Sequence, residues 1–161
     1  MSKFTELQAA YLRATSFRAS YWEGVIKTVQ SFQDDLKSYL GVTGDQKVEV
    51  QGLSPQPVVS IGWFNQVGSF EPWAITSLPK SGDDLQFALR LVFGNDFNGE
   101  TPAKEVFTLS IRGEPEPALW TVTVKTDDDV RRIRVPGFLE LNEYLVNSVI
   151  QKLKPKTLEA P

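Results

Sequence analysis

The segment Thr126-Asp127-Asp128-Asp129-Val130-Arg131-Arg132-Ile133-Arg134-Val135-Pro136-Gly137-Phe138 sets three consecutive acids before three arginines in four positions. Two kinds of chemistry use such residues. Clustered carboxylates are oxygen ligands for a divalent cation, and closely spaced guanidiniums grip carboxylates or phosphates. The metal reading lacks a histidine or a second acidic motif in register. The acids are instead expected to repel one another at the tip of a hairpin that turns at Asp127-Asp128.

A second acidic segment runs from Gly94 to Glu105. Asp96, Asn98, Gly99 and Glu105 match positions 3, 5, 6 and 12 of the twelve-residue calcium loop. Position 1, normally Asp, is Gly94, and the flanks read as strands rather than helices. Asn98-Gly99 is better read as the positive-φ pair of a hairpin turn. No metal ligand and no cofactor are assigned.

The chain contains no histidine and no cysteine. That removes Ser-His-Asp triads, thiolate nucleophiles, disulfides and His- or Cys-ligated zinc. Glycine-rich nucleotide loops and the nucleophile elbow are missing from the sequence. Thr123-Val124-Lys125 has threonine where a metal-dependent nuclease would place an acid. No catalytic residue is assigned, and the sequence predicts a protein that is not an enzyme. A carboxylate-dependent enzyme is the least supported reading.

At 161 residues the chain fits one domain, 1–161, and is long enough to bury roughly 68–70% of its unfolded surface. No apolar run reaches the length of a membrane span, and the amino terminus lacks a signal peptide's apolar centre. A cytoplasmic location and no membrane partner are expected. The net charge of −3 argues against coating nucleic acid by bulk charge, though not against a local basic patch.

The elements that must position these residues follow from periodicity. Apolar residues recur every three or four positions from Phe4 to Leu40, with Gly41 as the stop, so residues 1–41 read as a helical segment. One straight helix of this length would span roughly 55–60 Å. A break between Thr15 and Ser20 is therefore expected, or else a projecting arm. A coiled-coil dimer competes, but its heptad puts Arg18 and Thr28 on the seam.

Residues 46–135 read as an antiparallel sheet of five to six strands. Residues 46–51 alternate, 57–64 form an apolar run, and 65–84 form a Gly- and Pro-containing connection with at most a short strand near Trp73–Ser77. Clean strands follow over 85–93, 105–112, 119–125 and 130–135. Pro136 opens a helix over 138–153, and 154–161 reads as a flexible tail. The fold class is α+β: a helix or helix pair, an antiparallel meander and a C-terminal helix, with helices packed on one sheet face.

Strand alternation then sorts the side chains. One face carries Leu85, Phe87, Leu89, Leu91, Phe93, Phe107, Leu109, Ile111, Trp120, Val122, Val124, Ile133 and Val135, which makes a core. The opposite face carries Arg90, Arg112, Lys125, Arg132 and Arg134 and, within those four strands, no acid. Arg131 takes core-side parity and belongs at the strand edge. Phe70 and Trp73, beside Gly68 and Pro72, could anchor a protein partner. The sequence thus predicts a small protein-binding protein of inhibitor, immunity-type, chaperone or adaptor kind. Its basic sheet face would meet an acidic patch on a partner protein. Nucleic-acid binding by the same face is the second reading, disfavoured by the lack of stacking aromatics there. Partner identity and oligomeric state are left open.

Overall fold

In a computed structural model the spacing of apolar residues carries one uninterrupted helix, α1, from Lys3 to Leu40. Its 38 residues extend about 57 Å. The structure describes the chain except residues 1, 44, 98, 100, 117–118, 126–129, 136 and 155–161. Ser2 starts α1 by accepting a hydrogen bond from the Thr5 amide at 3.1 Å. Gly41, at φ 74°, ends it by donating its amide to carbonyl oxygens of the last turn. No break occurs between Thr15 and Ser20. That stretch holds neither Gly nor Pro, and the Thr15 hydroxyl donates to the Tyr11 carbonyl within the helix, at 2.8 Å. The projecting arm is the form adopted: apart from half-buried Ala9, residues 3–20 are exposed, while Val25, Val29, Phe32 and Leu36 are buried.

The strands that follow are β1 (Lys47–Val48), β2 (Gln56–Pro57), β3 (Val59–Phe64), β4 (Phe70–Pro72), β5 (Lys80–Ser81), β6 (Asp84–Val92), β7 (Lys104–Gly113), β8 (Trp120–Lys125) and β9 (Val130–Val135). The first two pair only with each other. The rest form one sheet in the order β4-β3-β6-β7-β8-β9, with β5 alongside the start of β6. Every pairing is antiparallel. Helix α2 (Leu139–Leu153) closes the chain, and among the described residues both helices contact the same sheet. The α+β architecture is as the sequence implies.

Alternation holds through the late strands. Leu85, Phe87, Leu89, Leu91, Phe107, Leu109, Ile111, Val122, Val124 and Ile133 share one core with the buried residues of α1 and with Leu141, Leu145 and Val149 of α2. Phe93 departs from this: β6 ends at Val92, and Phe93 is 39% exposed.

The 65–84 connection is more ordered than its composition implies. Asn65 Oδ1 accepts from the amides of Val67 and Ser69, both at 3.0 Å, and Gly68 takes φ 83°. This tight turn folds Phe70–Pro72 back onto β3 as β4. A single 3-10 turn, Ile75–Ser77, stands where a strand near Trp73–Ser77 is expected. Gly62 makes the β3–β4 approach feasible, since a Cβ there would lie 1.8 Å from the Glu71 carbonyl oxygen. The hairpin tip at Asp127–Asp129, the Asn98 position, Pro136 and the tail from 155 onward lie outside the described residues.

Candidate functional site

The basic residues of the far face sort by register into two groups. On β7–β9, Arg112 pairs across with Thr121 and Thr121 with Arg134; Ser110 pairs with Thr123 and Thr123 with Arg132; Thr108 pairs with Lys125. With strands about 4.8 Å apart, Arg112 and Arg134 are separated by roughly 10 Å at the backbone. Arg112, Lys125 and Arg132 border a depression of about 240 Å³ whose floor includes Gln86, Ser110, Thr121 and Thr123. The Ser110 and Thr123 hydroxyls and the Gln86 amide, beside three cations and Asp84 on the rim, are donors suited to carboxylate or phosphate oxygens. Arg112, Lys125, Arg132 and Arg134 are all exposed.

Two acids border this group, contrary to the expected acid-free face. Asp84 has the same parity as Gln86, and its Oδ1 lies 3.9 Å from Arg112 Nε. Both side chains are well exposed, so the pair contributes little stability. Glu114 accepts a hydrogen bond from the Thr121 hydroxyl. Among the described residues, Lys125, Arg132 and Arg134 have no acidic partner within salt-bridge distance.

Arg90 is separate. It is 8% exposed, its Nη2 donates to Gln56 Oε1 at 3.2 Å, and its guanidinium lies 4.7 Å from the centre of the Phe70 ring. Burial holds its pKa below the ordinary arginine value. Val50, Ala88, Val92 and Ala103 are also buried but stand outside the main core. Gln56 of β2 and Phe70 of β4, both against Arg90, show that the chain there covers part of the far face. That face is therefore open only over β7–β9 and the adjoining part of β6. Phe70, half-buried and engaged by Arg90, lies four strands from β8, so the structure does not bring it to Lys125 or Arg132. Trp73 packs against the main core. Arg131 lies on the helix side of edge strand β9, 4.6 Å from the Tyr144 ring centre and 3.9 Å from Glu140.

The far face does hold aromatic residues. Phe64 pairs across with Phe70 on the parity of Ser60 and Gly62, which the strand pattern of the late sheet alone does not disclose. Among the described residues no group of three or more acids stands close enough to hold a metal ion. No described helix is long and apolar enough to cross a membrane. No protein-family model, curated protein or solved structure matches the chain.

Proposed function

We propose that this chain is a non-enzymatic binding protein that docks an acidic patch of a partner protein on the β7–β9 face. The observation that carries the reading is the pair of exposed cations Lys125 and Arg132 beside a hydroxyl-lined depression, with exposed Arg134 two positions further along β9, all three without acidic partners among the described residues. In a chain of net charge −3, a local cationic surface favours encounter with an anionic one and disfavours self-association through the same face. The depression, about 240 Å³, falls below the roughly 300–1,000 Å³ of small-molecule pockets, which favours a macromolecular surface. Nucleic acid is the second reading. It is less favoured because Phe70 is engaged by Arg90 and lies far across the sheet from the exposed cations. Roles as inhibitor, immunity-type protein, chaperone or adaptor, in the cytoplasm, are compatible with this surface.

The test is capture from the native cell with the wild-type chain and with Arg132→Glu/Arg134→Glu. Both positions are exposed, so the variant's unfolding free energy in urea should change by no more than about 0.5 kcal/mol per site. Binding of the captured protein should fall at least about tenfold. Retention at full strength would sink the reading. A captured nucleic acid whose binding collapses steeply with added salt would replace it with the second.

A further inference from the structure

The face of α1 that packs on the sheet continues past the point where the sheet ends. At about 100° per residue, buried Val25, Val29, Phe32 and Leu36 fall on one arc roughly 60° wide. Phe4, Leu7, Tyr11 and Ala14 extend the same arc by only about 20°, and Phe17 and Ala10 flank it. Here the face is exposed, and none of its large side chains joins the core formed by the described residues. Phe4 is 67% exposed, Leu7 68%, Tyr11 70% and Phe17 71%. The base of this arm is pinned. Arg18 Nη1 bonds Asp83 Oδ1 at 2.7 Å, and its guanidinium lies 5.3 and 5.2 Å from the ring centres of Tyr21 and Trp22. Lys80 reaches the Trp22 ring at 4.8 Å. The arm leaves the domain in a set direction, with its apolar stripe uncovered.

We propose that the arms of two copies of this chain, over residues 3–17, pack antiparallel through this stripe and make a dimer. The stripe is complementary to itself. A two-fold axis between positions 10 and 11 sets Leu7 against Ala14 of the second copy along the middle of the seam, with the two Tyr11 rings side by side on one flank and the two Ala10 residues on the other. Leu7 then meets a small residue at both of its positions, the arrangement that lets helices approach closely and interdigitate. The six residues offer about 600 Å² of apolar surface per chain, so two copies bury up to about 1,200 Å², the lower bound for a stable specific interface. No charged residue lies on the stripe between Phe4 and Phe17. Arg18, which would disfavour a longer parallel seam, is occupied by Asp83. A lipid surface fits less well. The arm's other side carries Thr5, Gln8, Leu12, Thr15 and Ser16 with Arg13 as its basic residue, whereas interfacial helices carry many basic residues there. Lys3 is paired with Glu6 at 3.1 Å. The dimer is independent of the acidic-partner reading, since α1 packs on the opposite side of the sheet from Arg132 and Arg134.

Sedimentation equilibrium on the full chain tests this. The average mass should rise with concentration from 18.0 kDa to twice that value in the micromolar range. Leu7→Glu/Tyr11→Glu should weaken association roughly thirtyfold or more while leaving the thermal midpoint of the dilute protein unchanged. Because the chain has no cysteine, orientation can be read by oxidation of single-cysteine variants. Ala10→Cys should cross-link copies, and Lys3→Cys should not, being separated by roughly 20 Å from its counterpart in an antiparallel pair. A monomer at about 0.1 mM, undiminished association of the double variant, or cross-linking at Lys3→Cys equal to that at Ala10→Cys would overturn the proposal. So would a monomer that instead moves onto vesicles of anionic phospholipid.

Discussion

Arg90 lies on β6 with its Nε unpartnered, one hydrogen bond to Gln56 and the Phe70 ring against its guanidinium. A buried charge in that state has lost most of its hydration and regained only part of it, and replacing such a group by an apolar one of similar length is often neutral or stabilising. Arg90→Met is therefore expected to keep the urea midpoint or raise stability by about 1 kcal/mol, with binding at Arg132 and Arg134 untouched. Gln56→Ala, which strands the guanidinium further, should cost about 1 kcal/mol. A loss of about 3 kcal/mol or more in Arg90→Met, measured by urea unfolding, would mean that the charge itself holds this corner together. The strand alternation that assigns Arg90 to the far face is correct. What alternation cannot convey is that Gln56, at a sequence separation of 34, reaches back over it. Asn142 makes the complementary case on α2. It is 1% exposed and donates Nδ2–H to Asp35 Oδ2 at 2.7 Å. A polar residue beside the apolar stripe of a helix gives no sign in sequence that a second helix will bury it.

Between elements, Tyr21 joins α1 to the sheet at the point where the arm begins. Its hydroxyl donates to the Asp83 carbonyl at 2.5 Å and accepts from the Gly113 amide at 3.0 Å. Desolvation raises its pKa above the ordinary tyrosine value, and Asp83 and Asp84 add to that; the Gly113 amide and Arg18 oppose it. The folded protein thus holds this proton where the unfolded chain begins to release it, near pH 10. The contribution is complete below about pH 10 and is lost as pH rises through the higher folded value. Urea midpoints should fall more steeply above about pH 10 in the wild type than in Tyr21→Phe. At neutral pH the variant should be less stable by about 1 kcal/mol. Parallel pH curves for the two proteins would remove Tyr21 as the coupling group. Element types were legible where periodicity is strong. The four late strands lie within a residue or two of their expected positions, because a two-residue period with one buried face fixes both register and side. The β4 strand was not legible, because it is three residues long and depends on the Asn65 turn and on the missing Cβ of Gly62. The basic site was legible in its residue types and its parity. Its extent was not, since the coverage of Arg90 and the placement of Asp84 and Phe70 depend on which chain segments cross the sheet.

Taken as one object, the molecule has a buried body and an uncovered arm that share a single helix. Helical periodicity alone cannot mark where the first gives way to the second. The same apolar spacing runs from Phe4 to Leu36, and only the edge of the sheet decides which positions are covered. An exposed helical segment of about fifteen residues is marginal by itself in water, so its helicity should depend on what it packs against. Amide hydrogen exchange reads this directly. Over Val25–Leu36, protection should be high and independent of protein concentration, because these residues belong to the core. Over residues 4–17, protection should be low in dilute protein and rise at least about tenfold as concentration passes through the dimerisation range. Leu7→Glu/Tyr11→Glu should abolish the rise without altering exchange in Val25–Leu36. Arm protection that is equal at all concentrations would place its stabilisation within one chain and count against the dimer. Protection that rises in both segments together would mean that association stabilises the whole fold, with the arm acting as part of one cooperative unit rather than as a separately ordered dimerisation element.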